Sequence, residues 1–102
     1  MKEDESKSLR ERLAEGQGQA PWSMLEAHAK RDGLIEVDMS LDLMEVAEAI
    51  AEDKSGAVAG WMSAGYLTRP DPKALETRAQ ERGEEWTFVI VAPFVLIQSA
   101  GW

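Results

Sequence analysis

Glu45, Glu48 and Glu52 fall three and four residues apart in "EVAEAIAED", so a helix through them carries three carboxylates in one row. A row of this kind can dock a basic partner, although charge runs on helices are most often solvated faces. Acid–base catalysis would need one carboxylate of a pair pushed up in pKa by a pocket, and nothing among the 19 acidic residues marks such a pair. His28 is the one histidine and there is no cysteine, so neither a multi-histidine nor a thiolate metal site can form within one chain. His28 follows Leu25 by three positions and is expected at the edge of a core. The stretch "GWMSAG" (60–65) brings Ser63 near a nucleophile-elbow pattern, but its spacing is G-x-x-S-x-G and it lies in a predicted helix. Ser63 is therefore expected to be structural. "GQGQAP" lacks both the lysine and the preceding strand of a phosphate-binding loop. No catalytic residue, metal or cofactor is expected.

Charge is distributed unevenly along the chain of 102 residues, whose net charge is −8. Between Asp42 and Thr68 the only cation is Lys54, and beyond Glu85 no side chain is charged. The uncharged end, "TFVIVAPFVLIQSAGW", has apolar residues facing both ways along a strand, so both faces must be covered. If Phe94 and Leu96 share a face, that face needs a helix or a second chain. An unknown protein partner and a homodimer through 86–98 are the partners expected, with Glu45, Glu48, Glu52, Phe94 and Leu96 as the contact residues. The tryptophans at 22, 61 and 86 fall on predicted inner faces, which favours a core over a base-stacking platform.

These residues need elements to position them. Residues 1–8 read as a charged flexible tail, 9–98 as one domain and 99–102 as a short C-terminal tail. Leu9 and Leu13 give a short helix, which "GQGQ" (16–19) ends as a linker. Pro21 opens a helix with Trp22, Leu25 and Ala29 inward and Gly33 as its stop. "LIEVDM" alternates, with Ile35, Val37 and Met39 on the buried side of a strand. Asp42 and Glu45 form a capping box, and the following helix turns Leu43, Val46, Ala47, Ile50 and Ala51 inward. Asp53 or Ser55 caps the next helix, with Val58, Trp61 and Met62 inward and Gly65 at its end. A polar helix held by Leu75 and Ala79 follows Pro70. A strand then runs to Pro93, and a second one spans 94–98.

The order is helix, strand, helix, helix, strand, helix, strand, preceded by the short helix at 9–13. It predicts a single α+β domain, winged-helix-like, with a small mainly antiparallel sheet near 34–39, 66–69 and 86–98. The segments "PWSML" (21–25), "LDLMEVAEAIAED" (41–53), "VAGW" (58–61) and "FVIVAPFVLIQ" (88–98) resemble a family of small bacterial proteins catalogued as domain of unknown function 2288. That resemblance spans about residues 9–98 and implies a small bacterial soluble protein, with no activity, cofactor or catalytic residue attached to it.

The longest apolar stretch, 88–97, contains Pro93 and is too short for a membrane helix, which needs roughly 20 residues. The start, "MKEDESKSLRERL", lacks the apolar centre of a signal peptide. A cytoplasmic location is expected, without membrane contact. The reading best supported by sequence is a non-enzymatic interaction or adaptor module. A second is an acidic DNA-associated regulator using the helix pair at 43–64, although nucleic acid is disfavoured because binding rests on clustered cations. A small enzyme with a carboxylate site comes third.

Overall fold

Apolar residues at helical spacing near 43–51 and at two-residue spacing near 34–37 set up two kinds of element, which the fold stacks in layers. In the computed structural model, which describes residues 9–101, the chain runs α1 (Leu9–Glu15), β1 (Gln17–Ala20), α2 (Trp22–Lys30), β2 (Leu34–Val37), α3 (Leu43–Ala51), α4 (Ser55–Ser63), β3 (Leu67–Thr68), α5 (Pro72–Arg82), β4 (Glu85–Val91) and β5 (Phe94–Gly101). The strands form one sheet in the order β1-β4-β5-β2-β3. Every neighbouring pair is antiparallel except β2 and β5, which run parallel with Leu34 opposite Val95 and Ile35 opposite Leu96. This is a single α+β domain with a mixed, mostly antiparallel sheet.

Both faces of the sheet are covered by the chain itself. On one face Ile35, Val37, Val89, Val91 and Leu96 pack with Leu13 of α1 and Leu43, Val46 and Ala47 of α3. On the other, Leu34, Trp86, Val95 and Ile97 pack with Leu25 and Ala29 of α2 and Leu75 of α5. The central strand β5 therefore buries Val95, Leu96 and Ile97 in succession, which a strand does only between two helical layers.

Local chemistry fixes the ends of the elements. The Met44 N–H donates to Asp42 Oδ1 at 3.0 Å, capping α3, whereas the reciprocal Glu45 bond of a capping box is not formed among the described residues. The Lys73 N–H donates to Asp71 Oδ1 at 3.2 Å, with Pro72 in the first turn of α5. Gly83 ends α5 at φ 65°, a left-handed conformation that a side chain would strain.

Several sequence expectations are corrected. "GQGQ" is not a linker: Gln17–Ala20 is the edge strand β1, paired with β4. Glycine suits it because a Cβ at Gly18 would stand 3.1 Å from the Phe88 ring. β2 ends at Val37, so Met39 leaves the sheet and is 66% exposed rather than turned inward. Ala51 is exposed at the end of α3, and Met62 of α4 is also exposed. Lys54 occupies the cap position of α4, with no side-chain bond from Asp53 or Ser55. Asp32, not Gly33, takes the left-handed position after α2. β5 continues through Gly101, so 99–101 is strand rather than tail. The 1–8 segment and Trp102 lie outside the described residues.

Ile50, expected deep in the core, is only partly buried. Ile50→Ala should accordingly cost less than about 2 kcal/mol, the lower bound for a fully buried Ile→Ala change, while Leu75→Ala, at a site with no exposure, should fall in the range of about 2–5 kcal/mol. Denaturant melts of the two variants check this ordering, and equal losses would refute the burial difference.

Candidate functional site

The α3–α4 pair is held by a tight connection. Asp53 adopts a left-handed φ of 57°, and the Lys54 N–H donates back to the Ala49 carbonyl at 2.9 Å. The turn lays the two helices side by side and leaves a groove of about 260 Å³ between them, lined by Glu45, Glu48, Glu52, Ala49, Lys54, Ala57 and Trp61. The three glutamates predicted to share a helix face thus do so, along one wall of a groove. Glu48 accepts from Arg10 of α1, with Nε at 2.7 Å, and Glu52 pairs with Lys54 at 3.3 Å. Glu45 has no ion-pair partner among the described residues.

The opposite wall, α4, is unusual. Its sequence, SGAVAGWMS, has no charged residue, and no residue of the helix is buried. Val58 and Trp61 rest against the core with part of their surface still open. A Cβ added at Gly56 or Gly60 would meet no atom within 4 Å. A helix without charge on any side is normally a buried one. Here it lies on the surface, with the acidic row beside it.

Phe94 and Leu96 do not join this site. Leu96 has no exposure and sits beneath α3 in the core, so it cannot meet a second chain while the domain is folded. Phe94 packs at the margin of the same core, with the Arg69 guanidinium 5.6 Å from its ring centre. Within 86–98 the large apolar side chain left outside is Ile90, 52% exposed, near Met24 of α2 in a hollow of about 180 Å³.

Sequence reasoning missed a polar cluster on the other face of the sheet. Arg78 of α5 lies between two carboxylates: it donates to both oxygens of Glu36 at 3.1 and 2.8 Å, and to both oxygens of Glu84. It also stacks over Trp86, 5.6 Å from the ring centre. Glu84 is a fully buried side chain. Burial works to raise its carboxyl, but hydrogen bonds from Arg78 and Ser99 and the charges of Arg78 and Arg82 outweigh this and hold it below the ordinary 4.5. The bonds to Glu36 and then to Glu84 raise the Arg78 guanidinium against its own desolvation. A cavity of about 390 Å³ opens beside the cluster, lined also by Asp38, Tyr66 and Thr68. A carboxylate held ionised cannot serve as a general acid near neutral pH, and four N–H donations already occupy Arg78. The cluster is suited to fixing α5 on the sheet. Its sequence trace is slight: Glu84 precedes a buried tryptophan, where a charge needs a partner.

His28 is half-buried on α2, its Nδ1 3.2 Å from an Arg31 nitrogen. Ser63 is exposed at the end of α4. Trp22 and Trp61 pack partly buried against the two cores, and Trp86 is buried. Among the described residues no group of three His, Cys, Asp or Glu could hold a metal, and no helix is long and apolar enough to cross a membrane. Of Arg69, Lys73 and Arg78, the cations that a DNA-binding wing would offer, Arg69 is engaged with Asp32 and Arg78 with Glu36 and Glu84.

The model of a family described as protein of unknown function (DUF2288) matches residues 8–99. The solution NMR structure of PA1075 from Pseudomonas aeruginosa is similar at 32% identity with a TM-score of 0.78, covering 100% of this chain and 94% of that one. No curated protein matches the chain.

Proposed function

Since the chain belongs to the DUF2288 family, a membership that carries no activity with it, we propose that it is a non-enzymatic protein–protein interaction module docking through the α3–α4 surface. The observation that carries this reading is α4, a nine-residue helix with neither a charged nor a buried residue. An uncharged helix is normally covered on its outer side, and contiguous apolar surface left open marks interaction sites. The groove and its glutamate wall give that surface a shape and a charge. DNA is the less favoured occupant: the wall is acidic, and Lys54, the cation of this region, is already paired to Glu52.

Ala57→Arg tests the reading, because residue 57 is exposed and arginine is a good helix former. Its stability should stay within about 0.5 kcal/mol of wild type, as for other surface changes. Proteins that co-purify with the wild type from native extract should be lost from the variant. The same set recovered with both would overturn the proposal. A salt-sensitive gel shift of duplex DNA would replace it with the DNA-associated reading.

A further inference from the structure

Resting on that reading, we infer that the partner presents a basic amphipathic helix, which lies in the α3–α4 groove with its cations on Glu45, Glu48 and Glu52 and its apolar stripe on α4. The acidic row sets the repeat. Its spacing of three and four residues extends over about 10 Å at 1.5 Å per residue, and cations at the same spacing on a helix laid alongside fall opposite it. A strand would place them at alternate residues, about 7 Å apart, out of step with the row.

The apolar wall sets the shape. The small Ala57 at the groove lets a second helix approach α4 closely. Interaxial distance is governed by the side chains at the contact, so alanine places it toward the short end of the usual range. Trp61, half-buried on the same wall, offers aromatic surface to the partner.

Charge selects among occupants. A second copy docked α4 to α4 would bring two glutamate rows together in a protein already at −8. An anionic lipid surface or a nucleic acid meets the same repulsion. The chain itself shows how the row is satisfied: Arg10 of α1 reaches across to Glu48, with two guanidinium nitrogens at 2.7 and 2.6 Å from one carboxylate oxygen. Arg10 at Glu48 and Lys54 at Glu52 are thus internal competitors for two of the three positions, which leaves Glu45 without an ion pair among the described residues.

The experiment titrates the isotopically labelled full chain with a synthetic leucine–lysine peptide of about 15 residues, long enough to hold an amphipathic helix. A scrambled peptide of the same composition is the control. Amide shifts should be confined to α3 and α4, and the scrambled peptide should bind far more weakly. Glu45→Gln, Glu48→Gln and Glu52→Gln together should weaken binding about tenfold, in keeping with the loss of three exposed ion pairs. Arg10→Ala should tighten binding by freeing Glu48, and by more than Arg12→Ala, which removes the same charge from α1. Equal binding of both peptides, shifts centred elsewhere, or a triple variant that binds as wild type would each overturn the inference. Concentration-dependent α4 shifts in the protein alone would assign the surface to a second copy and also overturn it. If Ala57→Arg loses native partners while the triple glutamine variant keeps them, α4 docks a protein but that protein is not basic. The interaction reading would then survive without this inference.

Discussion

Arg78→Met is expected to destabilise the domain by about 3–5 kcal/mol, because it removes the hydrogen-bonded cation from buried Glu84 and from Glu36 beside it. That is a large share of the roughly 5–15 kcal/mol that holds a domain of this size together. The pH dependence supplies a second signature. In the wild type the folded Glu84 carboxyl titrates below its ordinary 4.5, so its contribution is full above that value and is lost as pH falls through the folded pKa. In the variant burial is opposed only by the Ser99 bond and the Arg82 charge, so the Glu84 carboxyl moves upward and lowering the pH should recover part of the lost stability. Replacing Glu36 and Glu84 with apolar residues in the same background should recover more, since it is the unpaired buried charge that costs. Urea melts at neutral and mildly acid pH measure all of this. A loss below about 1 kcal/mol would mean that the network contributes no more than a surface ion pair does.

Leu96→Asp is the second change expected to have a large effect. Leu96 stands on the central strand, paired laterally with Val89 and Ile35 and covered by α3. A carboxylate placed there has no cation within the cluster, and burying one unpaired costs on the order of several kcal/mol, enough with the lost leucine packing to unfold the domain. Circular dichroism should show an unfolded chain at neutral pH. Ile90→Asp, on the neighbouring strand but 52% exposed, should fold. A folded Leu96→Asp protein would refute the intrachain core, and a folded monomer of it from a dimeric wild type would restore the association that the sequence suggested for this face.

What could be read from the sequence divides along physical lines. The inward residues Leu43, Val46 and Ala47 were legible because a helix writes its buried face into local spacing. Ile35 and Val37 were legible for the same reason in a strand, and Pro93 marked the break between β4 and β5. β1 was not: glutamine and glycine carry no strand signal, and Gln17–Ala20 is a strand only because β4 offers an edge and Phe88 requires a small neighbour at Gly18. The parallel pairing of β2 with β5 was invisible because it joins segments far apart in the chain. In the candidate site the glutamate row was legible from its spacing, whereas the missing cover over α4 was not, since its apolar pattern reads the same whether buried or bare. The role of Arg78 was not legible, because its spacing on a polar helix does not reveal that the glutamate it meets is buried.

The place of β5 bears on how the protein can be made. The strand synthesised last among the described elements sits in the middle of the sheet, and its parallel partner β2 leaves the ribosome some 60 residues earlier. Until Leu96 and Ile97 emerge, β2 with β3 and β4 with β1 are two separate halves, each pair joined through a long connection, with Leu34, Val37 and Val89 uncovered along the gap. Non-local closure of this kind is slow, since the entropy of bringing the ends together is spent before any contact rewards it. The apolar seam between the halves thus stays open until β5 is made. Folding is then a single late event, in which one strand slides between two waiting edges and seals both layers at once.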